Sequence, residues 1–218
     1  MVILTDLSEV LIKGVYGVDE MIEEIYGRDV SDEFAIRRQL KEDLFYVLMR
    51  GKISEDVFWK EVLDSGYDWP FGINEIKEYV SDNIKQVIPG TLDIFEKIIE
   101  YPKTTDYISE HIAGRPEIWV VSDHIRERRE EIEALHPEIF ELTAKQCWSF
   151  EYGMVKRDVG FFDYLLYSNH LQPNEVIFID DQISNTHSAN RAGISEIMFF
   201  NAKWLKRDLR AHHFRFSI

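Results

Sequence analysis

Apolar residues follow two rhythms along this chain. Short continuous runs occur at Val2-Ile3-Leu4, Ile118-Trp119-Val120-Val121 and Val176-Ile177-Phe178-Ile179, with shorter ones at Cys147–Phe150 and Glu196–Phe200. These predict strands. Between them, apolar positions recur at helical spacing among charges. That pattern predicts helices over Asp19–Ile25, Asp32–Leu48, Ser54–Leu63, Asn74–Ile84, from Thr91 through Ile99, and over Arg126–Leu135, Phe161–Tyr167 and Asn185–Ala192. Strand and helix alternate from residue 89 onward, which implies a doubly wound parallel α/β sheet.

The first strand is followed by helical signals alone. Ser31-Asp32-Glu33 and Ser54-Glu55-Asp56 read as capped helix starts, and Gly51-Lys52, Ser65-Gly66 and Trp69-Pro70-Phe71-Gly72 read as breaks. Residues 13–88 therefore read as a helical cap inserted into a core made of residues 1–12 and 89–218. Pro102–Pro116 is a polar connection. No internal repeat interrupts this scheme.

Composition narrows the function. A 45% hydrophobic content with fourteen Phe and five Trp suits one well-packed core. The formal net charge of −15 over 218 residues argues against a nucleic-acid partner. A small anionic ligand remains compatible, given a metal or a placed lysine. No run approaches the ~20 apolar residues of a membrane span, and Asp6 interrupts the N-terminal apolar run, so a soluble, cytoplasmic protein is expected. The single Cys147 suits a reducing compartment and reads as an inert strand residue. The histidines show no zinc-ligand spacing beyond the adjacent His212-His213.

Chemistry gathers where the strands end. The first run delivers Asp6, the second Ser122, and the third the pair Asp180-Asp181, whose adjacent charges repel each other. Taken singly, Asp6 fits a turn, Ser122 a helix cap and Lys156 a solvated surface group. Together, on one edge of one sheet, they outline a site.

Four segments resemble, in order, the motifs of the haloacid dehalogenase (HAD) superfamily, in the branch whose helical cap follows the first strand. They are Val2-Ile-Leu-Thr-Asp6-Leu-Ser8-Glu-Val-Leu, Val120-Val121-Ser122, Ser149-Phe-Glu151-Tyr-Gly153-Met-Val-Lys156-Arg-Asp158 and Val176-Ile-Phe-Ile-Asp180-Asp181-Gln-Ile-Ser-Asn185. The resemblance implies a three-layer Rossmann-like core and a Mg²⁺-dependent phosphatase of a small phosphorylated metabolite, such as a sugar phosphate. In that reading Asp6 is the nucleophile that forms an aspartyl-phosphate. Asp6, Asp181 and the Ser8 carbonyl hold Mg²⁺, with Asp180 a second or supporting ligand. Ser122, Lys156, Ser8 and Asp123 meet the phosphoryl group, Lys156 neutralising both it and the nucleophile. Oligomeric state is left open.

The chain departs from the pattern in four places, one of them Glu9, which stands where a small or amide residue is usual. The first motif usually carries a second Asp that protonates the leaving group, and Ser8 stands there instead. Loss of such a group typically costs about 10²–10⁴-fold. Good leaving groups such as anomeric or acyl phosphates, a proton from the cap or from water, or loss of activity are the alternatives. One branch with Asp-Leu-Gly-Asn-Val in this motif also lacks the second Asp and includes sugar-phosphate phosphatases. Arg157 replaces the usual Pro, and Asp123 the usual Asn. Two other readings compete: carbon–halogen hydrolysis, which needs no metal, and a degenerate binding or regulatory module. In the cap, Arg37, Arg38 and Lys41 read as a charged helix face.

Overall fold

The computed structural model describes residues 1–64, 66–100 and 116–212, so Ser65, His111, His213 and residues 102–115 of the polar connection lie outside the described residues. Along the chain, β1 (Val2–Thr5) is followed by α1 (Val18–Tyr26), α2 (Arg28–Leu40), α3 (Glu42–Met49), α4 (Glu55–Leu63) and α5 (Ile73–Ile84). Then come α6 (Thr91–Glu100), β2 (Glu117–Ser122), α7 (Arg129–Leu135), α8 (Pro137–Leu142), β3 (Lys145–Trp148), α9 (Ser149–Tyr152) and α10 (Phe161–Ser168). The chain continues through β4 (Val176–Asp180), α11 (Ile183–Arg191), β5 (Ser195–Met198) and α12 (Ala202–Ala211).

All five strands run parallel in the order β3-β2-β1-β4-β5. Successive side chains of a strand point to opposite faces, and here both faces are covered. Ile3, Ile118, Val120, Ile177 and Ile179 join Phe95, Ile132 and Leu205 on one side. Val2, Leu4, Trp119, Val121 and Phe178 join Phe161, Phe162 and Leu165 on the other. The result is a three-layer, doubly wound α/β core. Because β1 lies between β2 and β4, the strand order reverses there, and the crevice past their carboxyl ends is where such sheets place ligands.

Helices α1 to α5 leave and rejoin this core side by side. Lys13 N–H donates to Gln86 O at 2.8 Å, Ile88 N–H donates to Leu11 O at 2.8 Å, and Ile12 bridges Val87. The helices have an aromatic centre of their own. Phe34 is fully buried, with ring centroids at 6.1 Å from Trp59 and 5.8 Å from both Trp69 and Phe71. Truncating a ring packed in this way costs about 3–5 kcal/mol.

The structure corrects several local expectations. The helix expected over Asp32–Leu48 is two helices broken at Lys41, whose φ of −105° and ψ of 21° leave the helical region. Ser31 does not cap a helix: α2 starts at Arg28 after Gly27, and the buried Ser31 hydroxyl donates to Asp19 O at 2.8 Å. The strand placed at Cys147–Phe150 lies two residues earlier, and Ser149 opens a short helix that Gly153 ends at φ 65°. α8, with Pro137 in its first turn, was not foreseen. The basic amphipathic segment Lys203–Arg210, whose sequence reads as a solvated final helix, is α12, and it buries Leu205 and Leu209 in the core. Among the described residues, no helix is long and apolar enough to cross a membrane.

Candidate active site

Asp6 is the first residue past β1 and continues the ladder, its N–H donating to Ile179 O at 2.8 Å. The chain then turns sharply. Leu11 and Ile12 N–H both donate to Leu7 O, and Glu9 takes a φ of 60°, a left-handed conformation costly for a residue with a Cβ. Glu9 closes this turn with its own side chain, accepting from Gly14 N–H at 2.8 Å and from Lys13 Nζ at 3.3 Å. Gly14 leaves room for this turn, since an added Cβ would stand 3.1 Å from Ser8 Cβ, a tight contact.

Lys156 organises the polar centre. It is 1% exposed, and its Nζ sits 2.7 Å from Asp6 Oδ2 and 2.6 Å from Asp180 Oδ2. Asp180 is saturated, since it also accepts from Gln182 N–H at 2.8 Å and from Asn185 Nδ2 at 3.1 Å. Asp181 differs: its Oδ1 is buried and has no partner. Carboxylate oxygens of Asp6, Asp180 and Asp181 all lie within 4.8 Å of one another, so a metal ion could be held there. Orphaned buried polar atoms are rare and call for a ligand or a functional reason. Ser122 Oγ at the end of β2 is another, buried and unpartnered.

The loop carrying Lys156 is held from both sides. Asp123 accepts the Lys156 backbone N–H at 3.0 Å. Asp158 accepts Val155 N–H at 3.0 Å and takes two bonds from the Arg50 guanidinium, the one from Nε at 2.9 Å. Arg50 comes from the end of α3, so the helical insertion braces the lysine loop directly. Ser149 Oγ adds a second tie by donating to Met49 O at 2.6 Å.

Burial and mutual repulsion set the titration of the group. Burial pushes the Asp6 carboxyl well up, against the pull of the Lys156 charge. Burial, and then the Asp180 charge, raise Asp181 to about 6. Burial likewise raises Asp123 to about 6, with Lys156 opposing. Burial works to lower Lys156, but the Asp180 and Asp6 carboxylates outweigh it and keep the amine protonated. Such crowded acid wants a cation. His124 is fully buried and lowered to about 4 by that burial, so it is neutral.

Asp6, Ser8, Asp123, Lys156 and Asp181 line one cavity of about 320 Å³. Ser122 and Asp180 are not on its wall, and Asp180 holds Lys156 Nζ at 2.6 Å. Phe45, Tyr46 and Met49 of the helical insertion also line it, and of its charged residues Glu20 is exposed and Glu9 and Lys13 are half-buried, whereas Asp6 and Lys156 are buried. Sequence reasoning left the reach of Glu9 open and missed the other lining residues and the Arg50–Asp158 brace. Glu9 carried a signal through its place beside Ser8, whereas Tyr46 is distant in sequence and carries none. Arg37, Arg38 and Lys41 do not line the cavity; they pair with Glu33, Asp19 and Glu61. Cys147 is buried, and burial raises its thiol further, as suits an inert residue.

No family model and no curated protein matches the chain. Solved structures do. A HAD family enzyme from Bacteroides thetaiotaomicron, in complex with magnesium and inorganic phosphate, is 16% identical, with 92% of this chain and 94% of that one covered at a TM-score of 0.62. A protein from Porphyromonas gingivalis described as a predicted HAD-like family hydrolase is 15% identical over 98% of both chains, at 0.65. The L-2-haloacid dehalogenase from Xanthobacter autotrophicus, with chloropropionic acid covalently bound, is 11% identical over 96% of this chain and 82% of its own, at 0.60. The chain therefore has the fold of the HAD-like hydrolases.

Proposed function

We propose that this chain is a Mg²⁺-dependent phosphatase of small phosphorylated metabolites, with residues 13–88 as a cap over a core of residues 1–12 and 89–218. One observation carries the reading: three mutually close carboxylates, two of them, Asp6 and Asp180, joined by the buried Lys156 and the third, Asp181, with an unpartnered oxygen. Those donors fit Mg²⁺, which takes oxygen ligands and few carboxylates. Asp6, Asp181 and the Ser8 carbonyl would hold it, with Asp180 supporting. Bound there, it supplies positive charge to the phosphoryl oxygens. A fold neighbour solved with magnesium and inorganic phosphate supports the same reading.

In this mechanism an Asp6 oxygen attacks phosphorus, and the bond to the leaving oxygen breaks with its electron pair. Lys156 stays protonated and balances the charge gathered on the phosphoryl group. Water then cleaves the aspartyl-phosphate, releasing inorganic phosphate and restoring Asp6. With Ser8 beside it, the leaving oxygen takes its proton from water, which favours leaving groups of low pKa. The unpartnered Asp181 oxygen weighs against haloacid hydrolysis, which makes no use of a metal site.

The test is phosphate release from a panel of phosphomonoesters and acyl phosphates, with and without Mg²⁺, beside Asp6→Asn. Release that needs both Mg²⁺ and Asp6 is expected. A folded protein inactive on every substrate would instead support a binding module.

A further inference from the structure

On the reading above, the phosphoryl group sits at the floor of the cavity, and the leaving group occupies the mouth. The mouth has a distinct charge pattern. Among the described residues, five carboxylates line the cavity against two ammonium groups, Lys13 and Lys156. Neither ammonium is available to a second anion. Lys156 is held between Asp6 and Asp180, and Lys13 is held by Glu9 at 3.3 Å. The nearby guanidiniums are also engaged. Arg157 donates to Tyr46 Oη at 2.6 Å and to Glu42 at 3.3 Å, and Arg50 is clamped on Asp158. Glu20, one of the five, is exposed in the first turn of α1.

We infer that Glu9 and Glu20 act as a charge filter at the mouth, admitting phosphomonoesters whose leaving group is uncharged and rejecting those with a second carboxylate or phosphate. A dianionic phosphoryl group meets the metal and Lys156, but a further negative charge near the mouth meets Glu9 and Glu20, and the Lys13 ammonium there is already paired with Glu9. Like charges at such separations repel strongly at the edge of a protein. Hydroxyl groups, in contrast, donate to the same carboxylates, while carbon–hydrogen faces lie on Phe45 and Met49. The filter rests on the phosphatase reading and adds to it which substrates are turned away.

A matched pair tests it: glycerol 3-phosphate and 3-phosphoglycerate share a skeleton and differ by a hydroxymethyl group against a carboxylate. With Mg²⁺ present, kcat/KM is expected to favour glycerol 3-phosphate by about 10-fold or more, the ratio shrinking as salt rises. Glu20→Gln should narrow the ratio. Lys13→Met, which frees Glu9 of its counter-ion, should widen it. Opposite movements in two variants cannot come from general damage to the fold. A ratio near one, or one favouring 3-phosphoglycerate, overturns the filter while leaving the phosphatase reading intact. So does turnover of acetyl phosphate with neither glycerol-derived ester accepted. No release from any of the three overturns the phosphatase reading and the filter with it.

Discussion

Arg128 offers a test of the structure that is independent of any activity. Its side chain is 7% exposed and meets the Glu55 carboxylate, 2% exposed, with Nε–Oε2 at 2.9 Å and Nη2–Oε1 at 2.7 Å. It also donates to Ser81 Oγ at 2.7 Å, to Lys77 O at 3.0 Å and to Glu131 at 2.9 Å. The guanidinium thus joins α4 and α5 of the helical insertion to the segment after β2. Arg128→Ala leaves Glu55 buried, with Trp59 Nε1 at 3.0 Å as its remaining side-chain donor. Breaking one side of a buried pair costs about 3–5 kcal/mol, since the other charge stays uncompensated. At a urea dependence of about 2–3 kcal/mol per molar, the unfolding midpoint should fall by roughly 1–2 M. Urea titration followed by tryptophan fluorescence and circular dichroism measures it, Trp59 being a local reporter. Replacing both partners by Met restores apolar packing, and the double variant should be more stable than Arg128→Ala. A loss under about 1 kcal/mol, or a double variant weaker than the single one, would refute the assigned burial.

Two further outcomes follow from the site. With Asp181 raised from 3.8 to about 6 by burial and by Asp180, the folded chain holds a proton that the unfolded chain releases. Its contribution to stability therefore declines as pH rises through that interval, and Mg²⁺ relieves the cost once the group is ionised. The Tm gain on adding Mg²⁺ should be small at pH 5 and grow toward pH 7.5; equal gains at both would contradict the assignment. Arg50→Ala removes the brace on Asp158 and should lower kcat for phosphate release far more than it raises KM, with faster hydrogen exchange at the Lys156 amide. An unchanged kcat would show that the lysine loop stands without the insertion.

The sheet was legible because its signals are local. Val2-Ile3-Leu4 and Val176–Ile179 are apolar on both faces, and only a strand covered by helices on both sides needs that. Asp6, Ser122 and Asp180 could be placed at strand ends for the same reason, since each follows its apolar run directly. What failed depended on distant partners. Lys41 breaks a helix without glycine or proline, and Ser31 is taken from its expected cap by Asp19, twelve residues away. The roles of Asp180 and Asp181 were likewise beyond a dipeptide's reach. Only the arrival of Lys156, Gln182 and Asn185 saturates one carboxylate and leaves the other with a free oxygen.

That division of labour bears on why Ser8 is tolerated. Asp6, Asp123, Asp180 and Asp181 already crowd their charges around one ammonium, and burial raises three of them against ionisation. A carboxylate at position 8 would add to this repulsion in the turn that Glu9 already holds at a positive φ. In the proposed chemistry Ser8 would contribute its backbone carbonyl without that charge, at the expense of a proton donor beside the leaving group. Under the proposed chemistry, the site therefore favours cation binding and phosphoryl transfer from Asp6 over difficult leaving groups. Reactive anomeric or acyl phosphates are the substrates for which this exchange costs least.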